Sequence, residues 1–398
     1  MGVEMGRAGP YSAEVRLMWH VAMVVFVYTV VVGILNGIDL VEFDRKVLMA
    51  HLHIGTLAWI TMAVFAGALM LFGVAGDERP WVRWMARLAP VAAVAYNVAF
   101  LTTTSMVRPL LGTLMLLVIV GFTVWGIARA RTTTLSVVHW GLLAGLVTSV
   151  VGAVLGVLFG IMIADPDAGI SSRFADAHPA TMVVGFLVPV GMALTEWVLN
   201  PSSVDQPATR SGRLQILLPF LGGVVLLVGV LLDATPVIAM NLPLELGGVG
   251  IFIWRMVPLV RRVSLLDADV SRHGVAAALF LLVNIGILFY LIANYIEDFE
   301  EAPRRLLLAL DHSIFVGVLT MTILALIALT SHTTRPPWVD HAVFVGTTIG
   351  IGGFVVGLLA DADLALRIFT PILGAAILLA IATHLWGAFG RRPAVSRP

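Results

Sequence analysis

The chain has 398 residues, of which 59% are apolar and 12% charged, and its mean hydropathy is +0.99. Soluble domains carry about 25% charged residues, so this balance excludes an ordinary soluble domain and points to an integral membrane protein. A formal net charge of zero leaves no bulk basic field for nucleic acid. The lack of cysteine excludes disulfides, iron–sulfur clusters, thiolate-bound zinc and a haem attached through C-x-x-C-H.

In chain order, the polar start "MGVEMGRAGPYSAEVR" lacks a short apolar core followed by a small-residue cleavage site, and it reads as retained. Apolar runs then recur over 15–38, 47–75, 82–105, 108–128, 137–163, 175–200, 213–232, 242–261, 273–296, 306–331, 338–360 and 364–388. Each approaches the roughly 20 residues needed to cross a bilayer, so the expected fold is all-α and polytopic, with twelve transmembrane helices. Arg108 and Pro109 in "TTTSMVRPL" mark a tight turn between the third and fourth runs. No connection is long enough for a separate soluble domain, so residues 1–398 read as one membrane domain surrounded by lipid. With both termini in the cytoplasm, the inner segments hold 17 of the 24 Lys and Arg residues. That bias predicts a multi-pass protein of the inner or plasma membrane with cytoplasmic termini.

The same topology divides the ten histidines. His20, His139, His273, His332, His341 and His384 fall toward inner ends, where a wet, interfacial ring is the ordinary outcome. His51, His53, His178 and His312 fall within about two turns of the outer ends of the second, sixth and tenth runs. The segments "AHLHIGTLAWITM", "AHPATMVVGFLVP" and "DHSIFVGVLTMTI" share a pattern. Each has a histidine at its head, a glycine four to seven residues later, then an apolar helix. The intervals from His51 to His178 and from His178 to His312 are 127 and 134 residues, four helices each. This predicts three pseudo-repeated four-helix arcs, roughly 15–128, 137–261 and 273–388.

Residues two apart on an α-helix point about 200° apart. His51 and His53 therefore face different neighbours and cannot easily hold one ion together. If the arcs close into a ring, one of the two meets His312 and the other meets His178. Facing imidazoles across a bundle are how a b-type haem is held. Five outer cations, Arg45, Lys46, Arg173, Arg304 and Arg305, come just before these helices and precede the histidines by about one to two turns. Arginine forks carboxylates, so Arg45, Arg173, Arg304 and Arg305 are candidates to hold haem propionates. Anchoring to headgroups or to acidic loop residues is an equal alternative. Asp311 either orients the neighbouring ring, carries a proton or caps its helix, and capping is the favoured reading. Asn97 and Asn284 are expected to bond between helices. Glu196 is expected to be wet, near an inner end.

Twelve helices with histidines toward the outer ends of the second, sixth and tenth resemble subunit I of the haem–copper oxidases. The segment "AHLHIGTLAWITMAVFAG" is similar to H-x-H-plus-glycine segments of that superfamily and its NnrS-like relatives. Subunit I of the oxidases carries an adjacent histidine pair at the seventh helix and H-x-H on the tenth. Here "RLQILLPFLGGVVLLVGVLLD" has no histidine, and the tenth run offers only Asp311 and His312. A three-histidine copper site is therefore not expected, and the NnrS-like comparison fits better.

What the resemblance implies is one or two haem b groups held by His51, His53, His178 and His312, with room left for a second metal such as copper. It also implies a redox partner or quinol, or a diatomic gas ligand, and electron transfer, gas-related chemistry or sensing, or a haem-dependent oxidoreductase. Two other readings stay open: a twelve-helix transporter without haem, and a structural subunit that keeps the bundle without cofactor.

Overall fold

In a computed structural model, residues 9–76, 78–296, 301–330 and 336–389 are described. Among them there is no strand, and twelve helices are long and apolar enough to cross a membrane. The chain is thus an all-α polytopic membrane protein. The helices are α1 (Ser12–Gly37), α2 (Arg45–Phe72), α3 (Pro80–Thr102), α4 (Val107–Ala130), α5 (Val137–Ala164) and α6 (Arg173–Leu199), followed by α7 (Arg210–Leu232), α8 (Thr235–Val260), α9 (Ser271–Tyr295), α10 (Arg304–Thr330), α11 (Pro337–Leu359) and α12 (Asp363–Phe389). Each coincides with one apolar run of the sequence, with ends displaced by a few residues. His332, expected near an inner end, lies outside the described residues.

Three helices form the centre. The most apolar stretches of α2, α6 and α10 are 72, 89 and 72% buried, against 28–56% for the other nine. The nine surround them in contact order α1, α3, α4, α5, α7, α8, α9, α11, α12 and back to α1. A helix with apolar residues all round belongs inside such a ring. Residues 58–69, 184–199 and 317–327 of the central helices are buried without a break.

Each central helix also changes pitch after its histidine. Ile54–Thr61, Thr181–Leu187 and Ser313–Thr320 are π-helical within otherwise α-helical spans. The hydroxyls of Thr61 and Thr320 donate to the carbonyls of Thr56 and Phe315, five residues back. That reach follows the wider turn. The glycines of the sequence pattern, Gly55, Gly185 and Gly317, lie inside these segments. Gly185 and Gly317 are needed for close approach. A Cβ on Gly185 would meet Thr148 Cγ2 at 2.9 Å, and one on Gly317 would meet Phe280 Cγ at 2.5 Å. The π segments of α2 and α10 touch, and Trp59 Nε1 donates to Thr320 Oγ1 at 3.1 Å across them.

Candidate histidine site

The four histidines sit where the central helices stop packing solidly. Below them α2, α6 and α10 are closed. At their level His51, His53, Thr56, Leu57, His178, Asp311 and His312 are only half-buried, although their helices are central. This end of the bundle is here termed the histidine end.

Each ring is fixed in the same chemical sense. His51 Nδ1 pairs with the Thr29 carbonyl of α1 at 2.9 Å, and His178 Nδ1 with the Gly152 carbonyl of α5 at 2.8 Å. His53 Nδ1 and His312 Nδ1 pair with carbonyls four residues back on their own helices, Met49 and Leu308, at 2.8 Å each. A carbonyl can only accept, so each Nδ1 carries the proton. Each Nε2 is left as a lone-pair donor, the arrangement that orients imidazole toward a metal. Backbone carbonyls do the orienting, so a deletion elsewhere among the side chains leaves the tautomers in place.

The four rings stand at one end of the three central helices, and each lies against a peripheral helix: His51 against α1, His53 against α3, His178 against α5 and His312 against α11. The roughly 200° between residues two apart sends His51 toward α1 and His53 toward α3. His51 and His178 are held from neighbouring helices, and His53 and His312 from their own. The walls are flat. Gly33 lies 3.3 Å, measured from its Cβ position, from His51 Cε1, and Gly156 lies 3.0 Å from His178 Cε1. Either glycine replaced by a larger residue would push its ring aside. The Phe354 ring lies 4.9 Å from His312, and Phe100 stacks on His53 at 3.9 Å.

The other candidate residues divide. Arg173 reaches Asp233 Oδ2 at 3.2 Å, and Arg305 reaches Asp361 and Asp363 at 2.7 Å each. Arg367, at the head of α12, reaches Asp39 at 3.0 Å. Asp39, Asp233 and Asp361 all have left-handed backbone (φ 57°, 56° and 54°) beyond the ends of α1, α7 and α11. Aspartate tolerates that conformation better than most residues. Three arginines thus clamp three left-handed turns, which accounts for Arg173 and Arg305 without a ligand. Arg45 and Arg304 are exposed, with no polar partner among the described residues.

Arg108, which the sequence offered only as part of a turn, is the cation the structure brings to the histidines. It is 6% exposed. Its Nε donates to the Thr103 carbonyl at 3.1 Å and its Nη2 to the Phe100 carbonyl at 3.4 Å. Its guanidinium lies 4.5 Å over the Phe100 ring. His53 already stacks on one face of Phe100, so the cation covers the other.

Three expectations need correction. Asp311 does not cap α10, because that helix begins at Arg304 after Pro303 and Asp311 lies two turns inside it. Glu196 is not wet. It is 4% exposed, and Arg255 grips both its oxygens at 2.6 Å while Gln215 donates to it at 3.2 Å. Asn97 bonds to Ala93 on its own helix. Asn284, by contrast, crosses to the Leu310 carbonyl and Ser313 of α10 at 2.8 and 3.0 Å, as expected.

Among the described residues, no group of three or more His, Asp or Glu side chains is placed to hold a bare metal ion. No family model and no curated protein matches the chain.

Proposed function

We propose that the chain is a b-type haem protein of the haem–copper oxidase-like superfamily, nearest in character to its NnrS-like members. One haem would be held between His51 and His312 and a second between His53 and His178. The observation that carries this reading is the set of four imidazoles at one end of the three central helices, each with Nδ1 tied to a backbone carbonyl and Nε2 left over. Flat neighbours support it, namely Phe100, Phe354 and the glycines Gly33 and Gly156. A buried guanidinium at Arg108 is well placed for a porphyrin carboxylate, and the exposed Arg45 and Arg304 are secondary candidates.

Bound haem would supply a one-electron couple. Two histidines on one iron leave no open position, so paired ligation assigns electron transfer rather than gas binding. The partners would then be a redox protein or a quinol. The excess of Lys and Arg at the opposite end of the bundle supports a cytoplasmic location for that end and for both termini.

The test is haem content and visible spectrum of the purified protein. Two haems per chain are expected, with sharp reduced α-bands that ignore carbon monoxide. His51→Ala or His312→Ala should remove one haem, and His53→Ala or His178→Ala the other. Double mutants within a pair should lose no more than the single mutants. A colourless protein after reconstitution, or full haem in all four mutants, would defeat the proposal. A Soret shift with carbon monoxide in the unmutated protein would instead assign an open iron and gas chemistry.

A further inference from the structure

A second polar feature lies away from the histidines, between α7 and α8. Asn241, Glu245, Gly248, Phe252 and Arg255 recur every three or four residues and so share one face of α8. That face meets α7. A Cβ on Gly248 would fall 2.4 Å from the Pro219 ring. Seen from α7, a Cβ on Gly222 would fall 2.6 Å from Asn241 Oδ1 and 3.2 Å from Glu245 Oε1. The missing side chain of Gly222 thus makes a notch near the middle of α7 into which both polar groups point.

Asn241 and Glu245 are both 0% exposed. With Glu245 ionised, neither of its carboxyl oxygens and neither side-chain atom of Asn241 has a hydrogen-bond partner among the described residues. No compensating charge is at hand on the elements that pack there. There is no Lys, Arg or His on α6 between His178 and Glu196, on α7 between Arg213 and Asp233, or on α8 before Arg255. Arg255 lies about 15 Å along the α8 axis and is committed to Glu196. A bare carboxylate is prohibitively costly in such surroundings, whereas a carboxylic acid bonded to an amide is not.

We propose that Glu245 and Asn241 form a proton-binding site at mid-depth of the bundle. Glu245 carries the proton and donates it to the Asn241 amide oxygen. The ligand is a proton and not a metal cation. The side-chain oxygens are closed to any water-sized probe, which leaves no volume for an ion and the further oxygens it needs. The site is independent of the haem reading. It gives the protein a place inside the membrane where a proton is held.

Infrared spectra of the purified full-length protein in lipid test this. Glu245→Gln is nearly isosteric and should remove one carboxylic-acid carbonyl band at neutral pH. Asn241→Leu should keep that band and shift it to higher frequency, because the hydrogen bond is gone. Loss of carboxylate bands in Glu245→Gln would overturn the proposal, as would a band that changes when sodium is replaced by choline. If Glu245→Gln does not fold, Asn241→Leu decides alone. An upward shift supports the site, and an unmoved band refutes it.

Discussion

The two ends of the central helices have the same parentage and opposite construction. On one side of the π segments, α2, α6 and α10 are sealed against their ring, with residues 58–69, 184–199 and 317–327 buried. On the other side the same three helices carry half-buried histidines. The sealed half supplies rigidity and the histidine half supplies donors. The π turns divide them, where a wider pitch re-aims the side chains that precede it. Stability and function should therefore respond to mutation in different halves.

The largest stability effect belongs to the sealed half. Arg255→Ala leaves Glu196 buried with only Gln215 to answer its charge, and breaking a buried pair of this kind costs about 3 kcal/mol or more. The expected outcome is a large drop in melting temperature with haem binding per folded molecule unchanged. Chemical denaturation in detergent, scored alongside haem content, checks both halves of that statement. Next comes Gly317→Val in the π segment of α10, whose new carbons would meet the Phe280 ring of α9. Overpacking of this sort costs about 1–3 kcal/mol, and here it should also weaken the His51–His312 site by moving α10. If melting falls and haem affinity does not, the π turn is a packing device alone.

How much of this contrast is legible in the sequence follows from the range of each interaction. The twelve helices are plain because hydropathy is local. The four histidines are conspicuous because imidazole is rare in hydrocarbon and because their spacing repeats. The glycines after them belong to π segments, but pitch cannot be read from a glycine, so the sequence suggests only a marker. Arg108 was invisible as a site residue for a different reason. Its relation to His53 runs through Phe100, and the contacts of His53 and Arg108 with Phe100 join α2, α3 and α4 in a way that no spacing rule gives. Glu196 misleads for the same reason. Its position near a helix end suggests water, while its partners Gln215 and Arg255 stand on two other helices, 19 and 59 residues away.

A smaller change sharpens the boundary between the halves. Thr320→Val keeps the shape of the side chain and removes the hydroxyl that accepts from Trp59 Nε1. The indole N–H is then buried without a partner, at a cost of about 1–3 kcal/mol. Because this bond ties the π segments of α2 and α10, the mutant should broaden the haem spectrum of the His51–His312 site while leaving the His53–His178 site alone. Equal broadening at both sites would mean that the two pairs move as one body.

The smallest stability effect is expected at the surface of the histidine end, and it separates two roles for arginine. Arg305 is held by Asp361 and Asp363 outside the bundle. Exposed pairs of this kind are screened by water and salt, and they contribute little. Arg305→Ala should leave melting temperature and haem content unresolved from the parent protein, since its office is to pin the turn after α11. Arg108→Ala changes a buried cation instead, and with it the support behind Phe100 and His53. It should lower haem retention and the reduction potential at the His53–His178 site, with Arg108→Lys recovering the potential in part but not the retention, since an ammonium does not reproduce the planar stack on Phe100. If Arg305→Ala strips haem and Arg108→Ala does not, the carboxylate-holding cation is the surface residue, and the stack on Phe100 serves only to close the α3–α4 turn.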